Sequence, residues 1–472
     1  MLDALLINAP IVLYRDKYDR EENYIEGGDE FSFYPINLLY MASYLKSKGK
    51  TVKVLDPTAY GLTLKDIIRI VCCEKPKIIG MTAMTASIQS AVNIAKALKG
   101  VAPIVLGGIH ISNDPDIMRR IPVFDYGVVG DGEEVFFDIL ERRRDPGLIF
   151  STPIQDLDSL PFPSRDLVDI RKYKRPEQIK GEAFFIDILT SRGCAYSCSF
   201  CSIYNAGKKV RYRSAKNIVD EMEDTYHLCD GHFTINDDCF TIKKAHVLAL
   251  RDEIKRRGLK IRFMCSTRAN CVDDEVMAAL KEMGCNNVCI GVESGSERIR
   301  NEIIGKKVKD HHIINAVKLA KRHKITVSLF MMVGFPTETP EDMRLTVEFP
   351  VLLQADYIGV HQTTPYPGSR IWKSAMEEGQ VPPDLIDQWA LGERGRDFKK
   401  AWVFYVNKGM TQQDMNDYKR RVYLRFYFDI RWILRKVWHW IRHPGQFIKE
   451  DLKLFKLLPQ VIRSGGTKGQ YS

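Results

Sequence analysis

"SRGCAYSCSFCS", residues 191–202, decides how this chain reads. It sets Cys194, Cys198 and Cys201 in a C-x3-C-x2-C spacing. Thiolate sulfur suits soft metals and iron–sulfur clusters. Three thiolates on a four-iron cube leave one iron without a protein ligand, an open position where a substrate or cofactor binds. A disulfide framework calls for an even set. A closed zinc site calls for a fourth ligand, and no partner C-x2-C pair occurs elsewhere. The spacing also lines one helix face, but Gly193, Ser191, Ser197, Ser199 and Ser202 are poor company for a core helix. The stretch reads as a cluster-binding loop.

Working outward, residues 184–365 alternate strands and helices. Six strand-like runs appear: "FFIDILTSRG", "GHFTINDDCF", "IRFMCSTRA", "NVCIGVESGS", "ITVSLFMMVGFP" and "YIGVHQTTPYPG". Strands with crossover helices suggest a partial (β/α)6 barrel, whose functional groups sit at strand carboxyl ends. The cysteine triplet directly follows the first strand. Residues 1–150 alternate in the same way. "LDALLINAP" (2–10), "TVKVLDP" (51–57), "KIIGMTA" (77–83), "PIVLGGIH" (103–110) and "YGVVGDGEE" (126–134) read as strands of a doubly wound, Rossmann-like α/β domain. Gly107, Gly108, Gly130 and Gly132 fall at its strand ends, where a backbone must approach something closely. Residues 151–180, rich in Pro, Asp and Arg, read as a linker. The expected division is 1–150, 151–180, 181–400 for the barrel, and 401–472 for a helical basic and aromatic region.

The chain has 472 residues, 45% of them hydrophobic, and a net charge of +10. Residues 411–472 hold 13 Lys/Arg against 5 Asp/Glu. Eleven cysteines without a readable signal peptide suggest a reducing cytoplasm, and no run of ~18 apolar residues predicts a membrane span.

With its aromatic Tyr196 and Phe200, the triplet resembles the radical SAM superfamily. The resemblance implies a [4Fe-4S] cluster, S-adenosylmethionine (SAM) on its open iron, and an external reductant of the flavodoxin or ferredoxin type. One-electron reduction then yields a 5′-deoxyadenosyl radical that abstracts hydrogen from unactivated carbon. By the same resemblance Asp237 and Asp238 accept from the SAM amino group. Arg268 faces its carboxylate, Glu293 its ribose or methionyl end, and Val333 and Gly334 its adenine. The remaining cysteines read as buried thiols, with Cys239 and Cys265 nearest the site.

"INAP", "YPINLLYMASYLKSKG", "VLGGIHIS" and "VVGDGEE" make the front domain similar to the cobalamin-binding radical SAM class. No complete D-x-H-x-x-G loop is present, so cobalamin is expected without that histidine, and His110 reads as a locally bonded loop residue. The class implies methyl transfer to an unactivated carbon, or to phosphinate phosphorus, of a small or lipid-like substrate. SAM then serves twice, as methyl donor to cobalamin and as radical source. A radical cyclase similar to the anaerobic Mg-protoporphyrin ester cyclase is the alternative enzyme, and an iron–sulfur carrier or sensor the non-enzyme one.

The stretch 417–445 has helical period. Tyr423, Tyr427, Ile430, Leu434, Val437 and Ile441 form an apolar stripe amid arginines and tryptophans. It reads either as a helix packed over the barrel or as a peripheral contact with the inner face of an anionic membrane. No nucleic-acid module is present.

Overall fold

The structure, a computed structural model, describes residues 2–12, 14, 34–173, 184–202, 209–392 and 405–442. It divides into two compact units, the first Met1–Pro176, Asn205–Gly207 and Tyr366–Val403, the second the remainder.

The first unit carries β1 (Ala4–Asn8), β2 (Val52–Leu55), β3 (Ile78–Thr82), β4 (Ile104–Gly107), β5 (Tyr126–Val129) and β6 (Gly147–Phe150) in the order β2-β1-β3-β4-β5-β6. Every pairing is parallel. β1 and β3 are short apolar runs buried almost throughout, as strands with both faces covered must be. The chain order reverses between β1 and β3. In an open sheet of this order, that switch point is where the ligand crevice opens.

Three features depart from the sequence reading. β6 is a sixth strand at the sheet edge. Its half-exposed "GLIF" leaves Phe150 68% exposed, too weak an alternation to stand out. Residues 151–173 are not a loose linker. Leu157 and Leu160 are buried, Ile154 N donates to Asp131 (2.9 Å) and Ser164 N to Leu39 O (3.1 Å). Residues 366–392, expected in the barrel, belong to the first unit. Trp389 is buried there, donates to Thr85 O at 3.2 Å, and its carbonyl accepts from Gln89 at 3.0 Å. Arg120 links Asp114 and Asp387 at 2.6 and 2.7 Å. Contacts some 300 residues apart in sequence leave no local periodicity to read.

The second unit is built on β7 (Ile186–Ile188), β8 (His232–Ile235), β9 (Arg262–Thr267), β10 (Cys285–Glu293), β11 (Thr326–Val333) and β12 (Tyr357–Gln362). They lie in sequential order, all parallel, with β7 and β12 as edges. This is the partial (β/α)6 architecture. β11 shows the layering: Val327, Leu329, Met331 and Val333 are fully buried, whereas Thr326, Ser328, Phe330 and Met332 on the other face are half-buried.

The C-terminal stretch is two helices, Gln412–Tyr427 and Ile430–Arg442, broken at Phe428–Asp429. The first caps the open edge of β12. The Val360 N–H donates to the Tyr423 hydroxyl at 2.9 Å and the Ile358 N–H to Tyr427 at 3.4 Å. Two tyrosines one turn apart thus occupy edge groups that a neighbouring strand would otherwise claim. Residues 443–445 of the expected helix lie outside the described residues.

Candidate active site

The carboxyl ends of the second unit's strands gather the residues singled out above. β7 ends at Ile188, and the chain turns through Gly193, at φ 97°, into the cysteine loop. Cys194, Cys198 and Cys201 are all partly exposed. The loop closes on itself through Cys201 N to Cys198 O (3.1 Å) and is fastened by Ser199 N to Ile304 O (2.9 Å).

The Arg268 guanidinium, just past β9, lies 3.6 Å from the centre of the Tyr196 ring. Its Nη1 is 3.4 Å from Cys198 Sγ, and its Nη2 donates to the Lys306 carbonyl. Arg268 therefore braces the cysteine loop with the donors that the SAM-carboxylate expectation assigned elsewhere. A donor beside a ligand sulfur also tunes a bound cluster.

Asp237 departs more clearly from expectation. Its buried carboxylate accepts from Thr190 N (2.7 Å), Ser191 N (3.2 Å), Thr190 Oγ1 (2.5 Å) and Ser191 Oγ (2.6 Å). All four lone-pair directions are occupied, so none is left for the SAM amino group. Asp237 pins the strand end from which the cysteine loop departs. Asp238 stays available. It is exposed at the rim, and partial desolvation, and next to it the Asp237 charge, push its carboxyl up to about 6.

Glu293 ends β10 at φ 69°, a left-handed conformation costly for a non-glycine residue. Its Oε1 accepts from Lys306 Nζ at 2.7 Å, and the same ammonium donates to Gly291 O at 2.5 Å. A side chain at Gly291 would fall 2.4 Å from Glu293 Oε1, so glycine there leaves room for the pair. Past β11, Val333 is buried and its carbonyl accepts from Thr363 N at 2.8 Å. Gly334 sits at φ 89° and donates to Glu338 Oε2 at 2.6 Å, as does Phe335 N at 3.0 Å. Phe335 packs on Phe200 with centroids 6.0 Å apart. Since these backbone groups are spent internally, an adenine would meet this turn through packing.

In the first unit the four glycines stand at the ends of β4 and β5, but three have neighbours within the fold. A Cβ at Gly108 would lie 2.6 Å from Thr82 Oγ1, at Gly130 2.5 Å from Ser151 Oγ, and at Gly132 2.9 Å from Met41 Cε. The close approach is made by the domain itself; a Cβ at Gly107 would meet Met81 O at an ordinary 3.8 Å. His110, the sole histidine of residues 1–176, is fully enclosed. Its Nδ1 lies 3.2 Å from Thr85 Oγ1, and burial pulls its pKa down to about 4.

The Radical SAM superfamily profile matches residues 188–349, and the B12 binding domain profile matches residues 29–140. An uncharacterized methyltransferase of Pyrococcus horikoshii is 31% identical over 443 residues, covering 89% of this chain and 92% of the relative.

The chain belongs to the B12-binding radical SAM family. It is an enzyme of that family. An anaerobic magnesium-protoporphyrin IX monomethyl ester cyclase of Rubrivivax gelatinosus is 26% identical, over 85% of this chain and 80% of the relative. Among solved structures, the radical SAM methyltransferase TsrM of Kitasatospora setae matches with TM-score 0.66 at 19% identity, over 90% of this chain and 91% of that one. That likeness concerns the fold.

Sequence reasoning missed three groups of this site. Lys306 lies in a loop with no motif, and only its buried pairing with Glu293 reveals it; its side chain is 3% exposed. Glu338, which holds the Gly334 turn, carries no motif of its own. Cys271 Sγ lies 2.9 Å from the Tyr196 hydroxyl, and a hydrogen bond from Cys239 pulls its thiol below the ordinary range.

Proposed function

We propose that this enzyme transfers a methyl group to an unactivated carbon of a small or lipid-like substrate. The reading is supported by one arrangement above all. The three-cysteine loop stands at the same strand-end rim as Asp238, Arg268, Glu293 and Gly334.

The residues fit the implied groups. Among the described residues no three Cys, His, Asp or Glu side chains converge where one metal ion would sit. A cube of four irons asks for something else, one thiolate for each of three irons, and the loop offers three separate ones. Such a cluster, with SAM on its open iron, supplies one-electron cleavage of the sulfonium and a carbon-centred radical, and cobalamin supplies a methyl carrier.

The chain's own part is positioning. Asp237 and Arg268 hold the loop. Asp238 offers a carboxylate to the SAM amino group. Lys306 holds the buried Glu293 carboxyl in place, where it can accept from a hydroxyl. The Gly334 turn, fixed by Glu338, gives a flat backbone surface beside Phe335. The β1/β3 switch point, with Asn8, Thr82 and the 43% exposed Met84 at its strand ends, is the place for cobalamin. With His110 enclosed, residues 1–176 would offer no imidazole to a cobalamin held there.

The test is product analysis after anaerobic reconstitution with SAM and reductant, with and without cobalamin. The methyltransferase reading expects S-adenosylhomocysteine that depends on cobalamin, alongside 5′-deoxyadenosine. 5′-Deoxyadenosine alone, unchanged by cobalamin, would replace it with the cyclase reading.

A further inference from the structure

The helix Ile430–Arg442 is fastened to the second unit by one face only. Trp432 is 3% exposed and its Nε1 donates to Asp356 O at 3.0 Å. Arg435 donates to Gln354 O at 2.9 Å. Lys436 Nζ lies 2.9 Å from the Tyr357 hydroxyl and 4.2 Å from the centre of that ring. The other face is apolar and open. Ile430, Leu434, Trp438 and Ile441 are 62%, 60%, 56% and 73% exposed, and Val437 joins them at 38%. These positions fall on a single stripe of the helix.

The charge on this helix has one sign. It contains Arg431, Arg435, Lys436 and Arg442 and no Asp or Glu. The acid just before it, Asp429, is occupied by Arg425 and Arg431. The Arg442 guanidinium lies 3.4 Å from the centre of the Trp438 ring, at the border of the apolar stripe.

We propose that this face docks the enzyme on the surface of an anionic phospholipid bilayer, with the helix lying in the interfacial plane. Apolar side chains enter the acyl boundary while Trp and Arg at the border stay at headgroup level. Thirteen residues at 1.5 Å each give about 20 Å, short of the ~30 Å hydrocarbon core, so the helix lies on the bilayer and does not cross it. Among the described residues no helix is long and apolar enough to span. The cation-only rim favours anionic headgroups. It disfavours a second copy of the same face, which would oppose like charges.

The experiment sediments the anaerobically purified full chain with vesicles of phosphatidylcholine alone or mixed with phosphatidylglycerol. The expected result is binding to the mixed vesicles only, weakened as salt rises from ~0.1 to ~1 M. Leu434→Glu and Ile441→Glu, both at exposed positions, should each lower partitioning about tenfold or more with the melting temperature unchanged. Arg442→Gln should weaken it less. Three results would overturn the proposal. One is no binding to the mixed vesicles. Another is binding that the Glu variants leave intact. The third is a wild-type dimer that Leu434→Glu dissolves in the absence of lipid.

Discussion

Replacing Asp237 separates a loop-holding carboxylate from a SAM-binding one. Oδ1 accepts from the Thr190 and Ser191 amides, and Oδ2 accepts from the hydroxyls of the same residues. Asp237→Ala removes both acceptors. The hydroxyls can rotate toward other partners, and His246 Nε2 is already 3.0 Å from Thr190 Oγ1. The two amide N–H groups cannot rotate. Each buried, unpaired donor costs about 1–3 kcal/mol, so the change should destabilise by about 2–6 kcal/mol. It should also free the strand end from which the cysteines depart and lower the iron retained per chain. Asp237→Asn keeps Oδ1 for the two amides and turns its NH2 toward hydroxyls that can accept, at a cost of about 1 kcal/mol. The assay is urea unfolding with iron analysis on both variants, plus SAM binding to Asp237→Asn. Near-wild-type stability and iron in Asp237→Ala would refute the reasoning. So would an Asp237→Asn protein that keeps both yet no longer binds SAM, because the carboxylate would then touch SAM itself.

Other perturbations test the neighbouring groups. Asp238, raised to about 6 by desolvation and the Asp237 charge, accepts most strongly from the SAM amino N–H when it is ionised. SAM affinity should be level above pH 6 and fall by up to about tenfold per unit below it, a slope that Asp238→Asn removes in equilibrium dialysis. Lys306→Met should leave the Glu293 carboxylate buried and unpaired, costing about 3–5 kcal/mol in denaturant titration, most of which Glu293→Gln in the same chain should restore. Glu338 is pushed up from 4.5 to about 7 by burial, so folding favours its neutral form. That contribution is full below pH 4.5 and is lost as pH rises through 7, about 3 kcal/mol in all. Glu338→Gln, which retains an acceptor for Gly334 N and Phe335 N, should flatten the profile between pH 5 and 8.

What the sequence made legible was whatever lies within one strand–loop unit. The cysteine triplet, the strand runs and the acids, Arg and Gly at their ends declare themselves by spacing and position. Roles that depend on a partner far along the chain do not. Asp237 and Asp238 are equivalent as letters. Only the return of β8 beside Thr190 and Ser191 turns the first inward and leaves the second available. Lys306 has no motif because its meaning comes from Glu293 across a loop. The glycines of the front unit looked like cofactor contacts, since a Cβ is excluded in either case; at Gly108 the Thr82 side chain and Ala83 backbone exclude it, and at Gly130 Ser151 does. Trp389 reads as barrel from its position in the chain but packs beside Thr85 of the first unit. The apolar stripe of 417–445 likewise joined two helices with different fates, one sealing the β12 edge with tyrosine hydroxyls and the other leaving its apolar face open.

The central claim is that Cys194, Cys198 and Cys201 hold a cluster whose open iron takes SAM. The most direct measurement is 5′-deoxyadenosine release on adding reductant to the anaerobically reconstituted enzyme with SAM, compared with Cys198→Ala. The wild type should release it and the variant should not, and the variant should also lose the cluster's visible absorbance. Release by Cys198→Ala at the wild-type rate, or none from a wild type with full iron and bound SAM, would contradict the claim.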